Sequence, residues 1–152
     1  IDVGINLSDI GFVYAIAILM GVIAPNLSNK FVKLVGSEKW ALIIEDIVIG
    51  VFFIFVSIVT SPIIAVLIFY TGAFSESIGR PIRNAFMHKR IPSKIRATTA
   101  SISNFASSGG SIIALLLAGY IIDTFGLRMG FIFGGLAAIP VILSLLMIKN
   151  EK

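Results

Sequence analysis

The sequence predicts an all-α polytopic membrane protein with five transmembrane helices, and three observations carry that prediction. Of its 152 residues, 57% are hydrophobic and 13% are charged, about half the charged fraction of a soluble domain. Mean hydropathy is +1.03. The apolar residues form five continuous runs, each close to the roughly 20 residues a helix needs to cross a hydrocarbon core about 30 Å thick. Continuous runs also exclude a β-barrel, whose strands alternate apolar and polar residues. The same composition excludes soluble globular, disordered and nucleic-acid-binding classes, in spite of a pI near 9.6. With no Cys and one His, thiolate and multi-histidine metal centres are ruled out, and no cofactor motif is found.

The elements follow in order. The first span covers about 10–34 and opens at Ser8-Asp9, a good N-cap pair. Pro25-Asn26 lies near its far end, with Lys30 and Lys33 placed to snorkel towards headgroups. Gly36 is a natural helix stop and Ser37 the next N-cap. The second span covers about 40–60, with Trp40 at aromatic-belt depth. Ser61-Pro62 is a tight turn, with Pro at the first helical position of a third span over about 62–86. A kink is expected at Pro81. A basic loop from His88 to Lys94 leads into a fourth span over about 95–122. Asp123-Thr124-Phe125-Gly126 turns the chain into a fifth span over about 129–148, followed by a polar tail.

Eleven of the twelve Lys and Arg fall on one side of this arrangement, and only Arg128 falls on the other. The positive-inside rule puts the eleven, and the C-terminus, in the cytoplasm. Asp2, Asp9 and Asp123 are then external. An odd number of spans with an external start, opening at Ile1 rather than Met, predicts upstream helices.

Three spans carry small or polar stripes at helical spacing. They are Gly72, Ser75, Glu76, Gly79 and Arg83 on the third, Ala100, Ser103, Asn104, Ser107, Ser111, Ala114 and Ala118 on the fourth, and, more weakly, Tyr14, Ala17, Gly21, Ala24, Pro25 and Ser28 on the first. Small residues let membrane helices pack closely, and the same stripes suit a solute cavity; both readings stand together. Glu76 is the most informative residue, because an intramembrane carboxylate is a functional candidate by default. It is either a cavity-facing proton or substrate site, or an ion-pair partner of Arg80 or Arg83. Ser75, Asn104, Ser107 and Tyr14 join it as cavity candidates. Glu45 and Asp46, in the first turns of the second span, suit an interfacial salt bridge near the basic loops. With Arg80, Arg83 and Arg96 they are the gate candidates. His88 reads as a solvated loop residue. Gly109-Gly110 is not a phosphate loop, lacking both the preceding strand and a following Lys-Ser/Thr.

The stretch Arg80-Pro81-Ile82-Arg83-Asn84-Ala85-Phe86, continued by Lys89-Arg90-Ile91-Pro92-Ser93-Lys94-Ile95-Arg96-Ala97-Thr98, resembles the cytoplasmic segment between the tenth and eleventh helices of major facilitator superfamily transporters. Gly119-Tyr120-Ile121-Ile122-Asp123-Thr124-Phe125-Gly126 is similar to the end of their eleventh helix. Ser8-Asp9-Ile10-Gly11-Phe12 suits the start of their eighth. The resemblance implies helices eight to twelve of twelve, part of a C-terminal six-helix half whose partner is the missing N-terminal half of the same chain. It further implies that the first, third and fourth spans line a cavity, and that the second and fifth are outer scaffold. The family's Gly-x-x-x-Asp-Arg-x-Gly-Arg loop motif is degenerate here, with Asn26 and Lys30 in place of an acidic-basic pair.

These readings converge on the C-terminal part of a secondary active transporter in a bacterial cytoplasmic membrane. It would move a small solute by alternating access, with proton coupling and antiport among its forms. The rival class is a membrane-embedded enzyme, which would have to rely on Glu45, Asp46 or Glu76. A non-transporting membrane scaffold is the third reading.

Overall fold

A computed structural model of the chain describes residues 7–148; Asp2, Lys149 and Lys152 lie outside them, as do the side chains of Ser8 and Asp9. Five helical segments are long and apolar enough to cross a membrane: 10–35, 38–58, 62–90, 93–125 and 127–147. No strand occurs among the described residues.

Helix α1 (Leu7–Ile23) already includes Ser8 and Asp9, so the helix does not open at that pair. The first span is not one helix, as the run had suggested. A 3-10 turn at Ala24–Leu27 separates α1 from α2 (Ser28–Val35). Pro25 is the cause, since it has no N–H to donate to the carbonyl four residues back. Gly36 ends α2 at φ 92°, a left-handed conformation that costs a residue with a Cβ but not glycine. Ser37 then caps α3 (Glu38–Ile58), its hydroxyl accepting from the Trp40 N–H at 3.2 Å, a bond worth about 1 kcal/mol.

Helix α4 (Pro62–Arg90) starts on Pro62 and continues through Pro81 to Arg90. His88, Lys89 and Arg90 therefore form its last turn rather than a loop. Basic side chains there complement the helix dipole. The connection to α5 (Arg96–Phe125) shrinks to Ile91-Pro92 and a 3-10 turn at Ser93–Ile95. At the other end, the expected four-residue turn reduces to Gly126, with φ 87°. The last span is two helices, α6 (Leu127–Leu136) and α7 (Ala138–Met147). The break follows from Pro140, whose ring opposes the Leu136 carbonyl and which donates nothing to it.

Helix α3 is the hub, packing against α2, α4, α6 and α7, while α1 packs on α4 and α5 packs chiefly on α6. A third of the apolar window of α3 is buried; none of that of α5 is. Helix α3 is thus the most enclosed of the five segments. Its neighbours come close because glycines meet: Gly50 and Gly135 bring the α3 and α6 backbones together. A buried cluster of Ala41, Leu42, Ile82 and Phe86 joins α3 to α4, with Phe31 and Val32 of α2 and Leu145 near the end of α7 against it.

Candidate functional site

Polar links between helices gather at the α2–α3 end of the bundle. Ser28 Oγ of α2 donates to the Ile78 carbonyl of α4 at 2.9 Å. Lys39 is buried and donates from Nζ to the carbonyls of Leu146 (3.0 Å) and Ile148 (2.5 Å). It thereby caps the C-terminus of α7, where unsatisfied carbonyls favour a cation. Lys89 Nζ pairs with Glu38 Oε1.

The central feature lies about two turns into α3. Arg83 of α4 donates from Nη2 to Glu45 Oε2 at 2.7 Å and to Asp46 Oδ1 at 3.3 Å. The Glu45 side chain is 2% exposed and that of Asp46 12%, whereas Arg83 is 48% exposed. The two acids are expected in a salt bridge near the basic residues, and they pair with Arg83. The pair sits inside the α3–α4 contact, because Arg83 reaches the acids from the facing helix and Gly79 leaves room. A Cβ on Gly79 would overlap the Glu45 carboxylate. Gly79→Ala is therefore expected to push Glu45 off Arg83 and lower stability by about 1–3 kcal/mol, as overpacking does. Thermal melting in detergent checks this, and an unchanged melting temperature would contradict the close fit.

The stripe on α4 consequently divides. Its Gly79–Arg83 end is consumed by packing and pairing with α3. Its Gly72–Glu76 end lines a groove of about 410 Å³ between α3, α4 and α6, with Phe52, Phe53, Phe69 and Phe131 among its walls. Glu76 is exposed and bonded to Arg80 Nη2 at 2.8 Å, one helical turn on. The mostly apolar groove therefore has one charged edge. Ser75 beside it is half-buried. Tyr14 of α1 is exposed along one side but sets its ring edge-on to Phe69, with centroids 5.6 Å apart. The structure thus brings Tyr14, through Phe69, to the wall of the groove that Glu76 lines.

Asn104 and Ser107 are exposed on α5, and the Ser107 carbonyl accepts from Ser111 Oγ at 2.9 Å. With α5 packed chiefly on α6, that stripe is not brought onto the α4 groove. Arg96 is exposed and makes only a long bond of 3.5 Å to the Ile91 carbonyl among those described. No group of three or more His, Cys, Asp or Glu that could hold a metal occurs among the described residues.

Sequence reasoning placed Ser28 and Gly79 only in small-residue stripes and Lys39 only among the positive-inside residues, and missed the partner of each. Lys39 reads as one more positive-inside residue until the end of α7 is seen above it. Its one signal was position: a lysine just inside a helix N-terminus is unfavourable for that helix's own dipole, so it needs a partner elsewhere.

Against known proteins, the family model described as Major Facilitator Superfamily matches residues 1–152. No curated protein and no solved structure matches the chain. That match covers all five membrane-length helices, and the chain belongs to the major facilitator superfamily.

Proposed function

We propose that the chain is the C-terminal part of a secondary active transporter that moves a small solute across a bacterial cytoplasmic membrane by alternating access. The observation that carries this reading is the family match over residues 1–152. At the coarser level it makes the protein a secondary transporter of the major facilitator kind, in a lipid bilayer. The finer reading draws on the unsatisfied polar faces. Asn104 and Ser107 are exposed polar residues within a membrane-length helix, and Glu76 edges an open groove. Polar residues within spans face a bundle interior or a water-filled path rather than lipid. The missing N-terminal six-helix half would supply the opposite wall. The gate residues are those of the basic end: Arg80 and Arg83 on α4, and Arg96 at the start of α5.

Orientation follows the basic residues. The ends carrying Lys33, Lys89 and Lys94 face the cytoplasm, and the Gly126 turn is external. The chain has no native Cys, so Ser93→Cys and Thr124→Cys give two clean probes in the full-length protein. An impermeant thiol reagent added to intact cells is expected to label the Thr124 variant and leave the Ser93 variant unlabelled. The reverse pattern would overturn the orientation. Alternating access adds that a transported solute changes the labelling rate of Ala73→Cys in the groove wall. A rate indifferent to every bound solute would overturn that part.

A further inference from the structure

The α3–α4 cluster does not balance its own charge. Glu45 and Asp46 present two carboxylates to a single arginine, and both accept from the same nitrogen, Nη2 of Arg83. Neither obtains the two-point pairing that an arginine offers a carboxylate. Asp46 has the longer bond, and its second oxygen, Oδ2, is enclosed with no hydrogen-bond partner among the described residues. Every other charge near the cluster is committed or distant. On α4, Glu76 is held by Arg80 and Lys89 by Glu38, Arg90 lies over the Phe86 ring and donates to its carbonyl, and His88 is exposed. On α3, Lys39 is turned to the α7 carbonyls. Lys30 and Lys33 of α2 are exposed. Helix α6 contributes only Arg128, at the opposite end of the bundle, and α7 contributes no charged side chain among its described residues.

An unpaired charge enclosed between helices is expensive, and the inexpensive remedy is neutralisation. We propose that the Glu45–Asp46 pair is a proton-binding site, with Asp46 the carboxyl that takes up the proton. Glu45 keeps the short bond to Arg83, so the protonated cluster is neutral overall and the deprotonated one carries a single negative charge. Arg83, half exposed, is the most open member of the cluster and the side from which a proton would reach it. Glu76 is the lesser candidate, because it is exposed and already matched by Arg80. The site itself needs only this geometry. Its use in coupling proton movement to solute movement rests on the transporter reading above.

Infrared difference spectroscopy of the full-length protein in lipid tests the site without any knowledge of the solute. Raising the pH is expected to remove a C=O stretch of a protonated carboxylic acid, and Asp46→Asn is expected to abolish that change. Glu76→Gln is expected to retain it. If Asp46→Asn does not fold, Asp46→Glu keeps a carboxyl and is expected to shift the band. A titrating band unchanged in the Asp46 variants overturns the proposal, as does the absence of any such band. A band lost on adding sodium at constant pH also overturns it, assigning the site to a metal cation. Solute flux against pH separates the two levels. Flux without the band refutes the site and leaves transport standing. An Asp46-dependent band with no flux for any solute refutes transport and leaves the site standing.

Discussion

Arg83→Leu is expected to be the most damaging single substitution of a charged residue in the chain. It removes the cation from Glu45 and Asp46 and leaves both carboxylates between α3 and α4. Breaking a fully buried pair from one side costs about 3–5 kcal/mol, and Arg83 is half exposed, so about 3 kcal/mol is the fitting magnitude. Melting of the purified protein and its level in the membrane should both fall sharply. Adding Glu45→Gln and Asp46→Asn to the same protein should restore most of the loss, since the stranded charges are then gone. Glu45→Gln alone should cost less, because Arg83 keeps Asp46 and its contact with solvent. Wild-type melting of the Arg83→Leu variant would show that the pair contributes nothing.

The second large effect is expected at Gly135. A Cβ there would stand 2.7 Å from the Gly50 carbonyl oxygen and 2.7 Å from Ile54 Cγ1. A side chain can turn aside, but a backbone carbonyl inside a helix cannot, so α3 and α6 have to separate. Gly135→Val should therefore exceed the usual overpacking cost of about 1–3 kcal/mol, with Gly135→Ala at the lower end. Gly11→Ala is the comparison, with open space around its site, and is expected to be nearly silent. Equal melting temperatures for the Gly135→Val and Gly11→Ala variants would contradict the close contact of α3 and α6.

These two cases mark where the sequence was legible and where it was not. The number of membrane-length segments was readable because the apolar runs match the bilayer, and Gly36, Ser37 and Pro62 each punctuate the chain by a local rule. The breaks at Ala24–Leu27 and at Ala137 have local causes too, in Pro25 and Pro140. Hydropathy conceals them, however, because a broken span is as apolar as an intact one. The C-terminal end of α4 was misplaced for a related reason: His88, Lys89 and Arg90 look like a loop by charge, yet positive charge at a helix C-terminus is favourable.

The site was only half legible. Every member of the Glu45–Asp46–Arg83 cluster could be singled out as a charge in or near a span. Which charges meet was not readable, because pairing across 37 and 38 residues depends on how α3 and α4 face each other. That facing is set by Gly79, a residue with no side chain to advertise it. Glu76 drew attention by its depth, and its partner four residues on was the nearest available by helical spacing. The groove beside it depends on α3, α4 and α6 together, and no single helix pattern contains it.

Gradient-driven flux is the most direct test of the transporter reading. Full-length protein is reconstituted in liposomes, and a solute that raises its melting temperature is followed across the membrane under an imposed gradient. The expected result is saturable accumulation that stops when the gradient is dissipated and needs no nucleotide. Chemical conversion of the bound solute without net movement, or no movement above protein-free liposomes for any stabilising solute, would contradict it.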